Sequence, residues 1–567
     1  MTSRQISTRP RRRGRFALTA AVAVATAAGF AVVPLSAAGA ATVGTKAVAA
    51  AVTASTLTRV ESPGTALSAA AVDLAAYGYT ESEFYSEGTA DRYRGATASA
   101  TSDATVIDGG WDYRTRVLVR APEPSRFNGT LLVEWTNVTI GLDADFVFAE
   151  AHASLLRDGY AIAVVSAQKV GVDRLTTWSP DRYGALSVDA DNVDPVGGGN
   201  VDPCGTAPCA GDPLSWDVFT QTAAALKANL GDDPALPGLT VQNVIATGQS
   251  QSASRLTAYY NAIQPIQGFF DGFVFWDRAT APLRSDVGVP AISVDSEGLS
   301  NVYPPFPDSA STRTWEVAGS THGSLYAADY VDAMFDRDGG LLGPDGQPES
   351  FSAWVEPSCE VVPAFSTVPA GLVVAAAIHA VKDWIETGTP AAPSLFFDRL
   401  DDGTIERDAS GRIEGGVRLA EFVVPTAEIS AFNGTAFPCS VSGSHRYYSD
   451  AEMLALYGTH DSYVAQVRQV TDAAAEAGYL LPADAVATVA TAEASTVAVS
   501  PTAPVPPSST PSASATPTAA AGAGSSLAAT GLDTAPWMIG GMTLAGLGAA
   551  LALIVASRRR GRPAGRR

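Results

Sequence analysis

The residues Gly248-Gln249-Ser250-Gln251-Ser252 stand between an apolar run, 241–247, and a helical pattern that opens at Ser252. Strand, sharp turn and helix is the setting that pushes a serine hydroxyl into the open as a nucleophile. Small flanking residues suit a strained turn with close packing, and Ser252 replaces the last glycine of the common G-x-S-x-G pattern. The Gln251 backbone N–H would open the helix and help hold a developing oxyanion. A second oxyanion donor is expected after the early apolar run 131–135, from the amide of Thr136 or Asn137, with Asn137 ranked first.

A serine hydroxyl needs a base, and the usual order is serine, acid, histidine. His322, in the loop 318–323 just after the strand-like run 313–317, satisfies that order. His152 precedes the serine, His379 sits in an apolar helical pattern, and His445 and His460 lie later and read as surface or structural residues. The acid must hold the imidazole in the right tautomer and offset its charge. Asp277, Asp295 and Glu297 all follow strand-like runs between Ser250 and His322. The acid usually follows the strand before the histidine's strand, which selects Asp295 or Glu297. Glu297, in the loop, is the first choice, with Asp295 and Asp277 as alternatives. The expected chemistry is acyl transfer to water through a Ser250 acyl-enzyme. An ester is favoured over an amide or peptide, and no metal or organic cofactor is implied. Trp276 and Tyr303-Pro304-Pro305-Phe306 read either as an acyl pocket or as ordinary packing.

The elements that must position these residues alternate. Apolar strand-like runs at 113–122, 129–139, 159–168, 242–250, 270–277, 289–296 and 313–320 are separated by helical patterns at 146–159, 215–230 and 252–264. Near-continuous apolar runs suit strands buried on both faces of a parallel sheet, so the fold class is α/β with a mostly parallel central sheet flanked by helices. After about residue 330 the pattern changes to a helix near 372–388, a polar hairpin-like stretch 407–419 and a helix near 462–478. This is read as a C-terminal extension packed on the core, within one folded domain spanning 54–492.

The net charge of −21 argues against nucleic acid as a partner, since phosphate binding needs clustered cations. Four cysteines in an exported chain predict two disulfides, Cys204–Cys209 across a Pro/Gly turn and Cys359–Cys439. Zinc is disfavoured because the five histidines lack ligand spacing beside the cysteines.

Both ends read as addresses. Residues 1–41 have a basic start, an apolar stretch and a small-residue exit, Ala38-Gly39-Ala40, the pattern of a signal peptide. Residues 493–526 form a spacer rich in Pro, Ser, Thr and Ala, too poor in large apolar side chains to build a core. Residues 527–567 carry Leu527-Ala528-Ala529-Thr530-Gly531, an apolar segment near 536–556 long enough to span a bilayer, and a basic tail. This arrangement resembles a sortase sorting signal of the LAxTG kind. The resemblance implies cleavage between Thr530 and Gly531, with sortase and peptidoglycan as partners and a wall-attached protein as product. The alternative is an extracellular domain held by the C-terminal helix alone.

The runs at 129–139, 248–256, 289–298 and 319–324 also resemble a bacterial family of alpha/beta-hydrolase-domain proteins, as do the later runs 384–393, 407–428 and 456–467. The resemblance covers nearly the whole folded region and excludes both termini and the spacer. It implies the α/β-hydrolase fold, with Ser250 as nucleophile, His322 as base and Glu297 as acid. The family's loop often continues with Thr-Asp after that glutamate. Here Gly298-Leu299 follow, which removes a later acid but leaves Asp295 open. The expected function is a secreted, wall-anchored carboxylic ester hydrolase acting on a small or lipid-like ester, envelope esters among them. The rival readings are an amidase or peptidase, and a wall-displayed binding or adhesion module without turnover.

Overall fold

The computed structural model describes residues 52–202, 211–278, 281–300 and 306–499. The expected signal peptide, the Cys204–Cys209 pair, residues 500–526 of the spacer and the whole sorting region lie outside the described residues. The expected start of the spacer at 493 is corrected, since Glu493 and Ala494 end the Pro482–Ala494 helix and Ala498 is buried.

Nine strands form one sheet: β1 (Thr56–Arg59), β2 (Tyr79–Arg94), β3 (Thr105–Pro122), β4 (Thr130–Trp135), β5 (Ala161–Val165), β6 (Asn243–Gln249), β7 (Gly272–Trp276), β8 (Ala291–Ser296) and β9 (Thr312–Val317). Their order is β1-β2-β3-β5-β4-β6-β7-β8-β9. The first three strands are antiparallel, β3 meets β5 antiparallel, and the pairs from β5 to β9 are all parallel. Every residue of β4, β5, β6 and β7 is buried. Their Val, Leu, Ile and Phe side chains thus leave water on both faces, at roughly 1.5–3 kcal/mol each. The long β2–β3 pair was not among the sequence expectations for β2. Its alternating charged residues hide the strand because charged partners bury with it: Arg120 is fully buried and pairs with Glu81 at 2.7 Å and Asp145 at 2.6 Å.

Helices cover both faces. The Phe146–Arg157 helix begins where buried Glu134, in β4, accepts the Val147 and Phe148 amides at 2.8 and 3.0 Å. A carboxyl there satisfies two of the helix's orphan donors, while burial and nearby Asp145 push its pKa well above the usual range.

The boundary of the extension needs correction. The Gly371–Thr387 helix, expected to belong to it, packs on β6, β7 and β8 and against the Phe146–Arg157 helix, inside the main core. Gly371 permits the crossing, because a Cβ there would lie 1.9 Å from the Glu150 carbonyl oxygen. The layer is therefore completed by a helix that follows a long insertion, not by the helix next after β9. The remaining C-terminal part carries a short antiparallel ribbon, Ala427–Ser430 with Ser444–Tyr447, and helices Asp450–Tyr457, His460–Glu476 and Pro482–Ala494. A disulfide joins Cys359 to Cys439. Among the described residues no helix is long and apolar enough to cross a membrane; the apolar segment near 536–556 lies outside them.

Candidate active site

Ser250 sits at the end of β6, directly before the Gln251–Ala258 helix, with φ 58° and ψ −115°. A non-glycine residue held at positive φ is strained, and such strain persists only where the surroundings fix it. They do so here. The Ser250 amide donates to the Trp276 carbonyl at 3.0 Å. The Ser252 hydroxyl accepts the Gln249 amide and donates to the Gln249 carbonyl, both at 2.9 Å. Ser252 thus does more than replace a glycine: it ties the turn. Gly248 cannot be larger, since a Cβ would lie 2.9 Å from that hydroxyl.

His322 follows β9, and its amide donates to the Val441 carbonyl at 3.0 Å. Its Nδ1–H donates to Oδ2 of Asp277, not to Glu297. Asp277 is fully buried at the end of β7, at φ 53°. Its carboxylate also accepts the Ser296 amide and hydroxyl, each at 2.8 Å. The first choice of acid is therefore corrected. Glu297 accepts the Gly319 amide at 2.9 Å and pairs with Arg407 at 2.8 Å, so it braces the histidine's loop against the hairpin-like stretch. Asp295 accepts the Ser293 hydroxyl at 2.7 Å, and burial pushes its carboxyl up to about 7. The register explains the choice. Gln249 pairs with Trp276, so Ser250 and Asp277 are the next residues on adjacent strands and leave the sheet side by side. The positive φ at Asp277 turns the chain at that level.

His322 Nε2 faces Gln249 Nε2 at 3.1 Å, and the same amide nitrogen donates to the His322 carbonyl at 3.0 Å. Gln249 was missed in the sequence because the residue before a nucleophile is a variable position of the motif. Asn137 is corrected as an oxyanion donor, since its backbone N–H donates to the Ala144 carbonyl at 2.9 Å. Its side chain instead donates to the Gln249 carbonyl and to Gln249 Oε1, each at 3.0 Å, and so orients that amide. The Thr136 hydroxyl donates to Asp143 at 2.7 Å. The Val138 amide has one long contact, 3.4 Å to Gln251 Oε1. The Gln251 amide stands at the open start of its helix, where first-turn N–H groups lack helical acceptors.

Ser250 and His322 open into one pocket of about 60 Å³, walled by Ile140, Phe146, Phe351, Trp354, Phe365 and Phe437. Four of those walls come from the chain after residue 350, and the Cys359–Cys439 disulfide stands beside them. Trp276 is buried in the core instead, Phe306 lies 5.5 Å from the Arg278 guanidinium, and Tyr303 to Pro305 fall outside the described residues. The other histidines are bound elsewhere. His152 accepts from or donates to Tyr326 at 2.7 Å, and His445 and His460 donate to the carbonyls of Phe365 and Val497 at 2.9 Å. His379, expected to be packed in its helix, instead faces Asp383 at 3.4 Å on a part-exposed side. No group of three or more metal-ligating side chains gathers among the described residues.

A comparison with curated proteins finds no match. Among solved structures the chain is similar to a proposed acetyl xylan esterase from Bacteroides fragilis, at 11% identity and TM-score 0.23, over 55% of this chain and 74% of that one. It is similar also to the rice cell wall degrading esterase LipA from Xanthomonas oryzae, at 9% identity and TM-score 0.19, over 36% of this chain and 46% of that one. A third is the siderophore hydrolase EstB from Aspergillus nidulans, at 12% identity and TM-score 0.23, over 40% of this chain and 90% of that one. A family model described as alpha/beta hydrolase domain matches residues 43–490, nearly the whole folded region that carries the Ser250 turn and the His322–Asp277 pair, and the chain belongs to that family.

Proposed function

We propose that this chain is a serine esterase that cleaves neutral esters with short acyl groups. The observation that carries the reading is the meeting of a strained Ser250 with a histidine held by a buried carboxylate in one apolar pocket. In the reaction, His322 Nε2 takes the Ser250 hydroxyl proton as Oγ attacks the ester carbonyl. To do so it exchanges its contact with Gln249 for one with Ser250, an adjustment of the kind free enzymes make on binding substrate. The tetrahedral oxyanion is held by the Gln251 amide and, in place of Asn137, by the Val138 amide. One such donor contributes roughly 10²–10³-fold in rate. The imidazolium, offset by Asp277, returns its proton to the leaving alcohol. Water then repeats the sequence on the acyl-enzyme.

The pocket bounds the acyl group. It is small and walled by aromatic side chains, which suits an acyl group of acetyl to butyryl size. Among the described residues no Asp, Glu, Lys or Arg side chain lines it, so a neutral acyl group fits best.

The setting belongs to the same proposal. The signal-peptide pattern, the spacer and the LAATG region argue for export and attachment to the wall through Thr530. A disulfide between Cys359 and Cys439 suits an oxidising compartment.

The test is turnover of p-nitrophenyl butyrate by the purified full chain and by Ser250→Ala. The variant is expected to lose at least ~10³-fold in kcat with its fold intact by circular dichroism. Equal turnover by both would remove Ser250 from the chemistry.

A further inference from the structure

Further along the Phe146–Arg157 helix, whose first residue walls the catalytic pocket, lies a second, much larger cleft of about 840 Å³. Its floor is one face of that helix, Glu150, Ala151, Ser154 and Arg157, at the spacing that puts residues on a single stripe. Its roof is supplied by the C-terminal helices His460–Glu476 and Pro482–Ala494. The volume falls in the range of small-molecule sites, ~300–1,000 Å³, and nothing in the ester chemistry uses it.

The charges in this cleft have one sign to spare. Arg157 is the only cationic side chain in its lining among the described residues, and it is committed to Asp158 at 2.7 Å and to Asp484. Glu150 is committed as well, since its carboxyl accepts the Ser324 amide and hydroxyl at 2.8 Å. Glu421 is different. It lines the cleft, and among the described residues no side chain pairs with it. Burial raises its pKa, as expected for a carboxyl facing an apolar space without a counter-charge. An anionic ligand would meet Glu421 with no free guanidinium to receive it. A cation would be attracted. Four tyrosines, Tyr77, Tyr326, Tyr447 and Tyr463, share the lining, and aromatic faces attract ammonium groups, most strongly where water is excluded.

We propose that this cleft is a second binding site, separate from the Ser250 pocket, for an organic ammonium ion carried on an apolar body, with Glu421 and the tyrosines receiving the charge. The site does not depend on the esterase reading and would stand if Ser250 proved inert.

The test is isothermal calorimetry on the purified full chain with three probes that share a benzyl group: benzyltrimethylammonium, benzyl alcohol and phenylmethanesulfonate, the cation and the sulfonate being matched in size. The cation is expected to bind most tightly and the sulfonate not measurably. Glu421→Gln is expected to weaken the cation at least ~10-fold while changing benzyl alcohol by less than ~2-fold. Thr488→Trp, which fills the cleft from its roof, is expected to abolish binding of the cation with circular dichroism unchanged. Equal binding of cation and sulfonate, an unaltered cation affinity in Glu421→Gln, or no binding of the cation to the wild type would each overturn the proposal.

Discussion

At the scale of single residues, two carboxylates stand near the His322 loop and only one reaches the imidazole. Asp277 holds Nδ1 and is itself held by two donors from Ser296, whereas Glu297 braces Gly319 and Arg407. The two substitutions should therefore separate. Asp277→Asn is expected to keep the geometry but present the wrong tautomer, lowering kcat by about 10⁴-fold. Glu297→Gln is expected to keep kcat within about 10-fold and to lower the melting temperature. Steady-state kinetics and thermal melts on both variants check this, and a larger loss in Glu297→Gln would reverse the assignment. A second residue-scale consequence concerns Glu150, whose carboxyl burial pushes up to about 7. Its folded pKa lies above its unfolded value, so the protonated form is the one the fold favours. Its contribution is fully present below the unfolded pKa, near 4.5, and is lost as pH rises through about 7. A shift of that size corresponds to about 3 kcal/mol. Glu150→Gln should therefore melt higher than the wild type at pH 8, with the difference shrinking towards pH 4.5. Parallel melting curves across that range would contradict this.

At the scale of elements, the chain after residue 350 builds four aromatic walls of the Ser250 pocket. Phe351 stacks on both Trp354 and Phe365, and Trp354 meets Phe437 edge-on, so the pocket is closed by a continuous aromatic cluster. Esters longer than butyrate should pay heavily in that wall. We expect kcat/KM to fall by at least ~10-fold from p-nitrophenyl butyrate to octanoate, about the discrimination available to a tight apolar pocket. Trp354→Ala should flatten that fall, and a wild type indifferent to chain length would show that acyl groups lie elsewhere. The strands that carry Ser250 and His322 were legible because buried parallel strands are near-continuous apolar runs. The base was legible because only His322 stands in order after such a run. The acid was not. It depends on the register of β6 against β7 and on a positive φ at Asp277, and a sequence carries neither. Asn137 was found in the right loop with the wrong donor group, since its amide is spent on the Ala144 carbonyl across the loop. The Gly371–Thr387 helix was found as a helix but misassigned, because a long insertion separates it from the strand it covers.

At the scale of the whole molecule, the folded domain and the two ends make separate claims. The domain's membership of the alpha/beta hydrolase domain family covers residues 43–490. The proposal of wall attachment rests on residues beyond that span. In the native host, Thr530→Ala is expected to move the protein from the wall fraction to the membrane or medium without changing its specific activity. An unchanged wall fraction would mean that the C-terminal region does not act as a sorting signal.

The nucleophilic activation of Ser250 is the first requirement of the proposed reaction. It is tested most directly by treating the purified full chain with a fluorophosphonate and locating the adduct by peptide mass spectrometry. One modified residue is expected, Ser250, with labelling lost in Ser250→Ala and strongly slowed in Asp277→Asn. A folded wild type that takes no label, or an adduct on another residue, would contradict it.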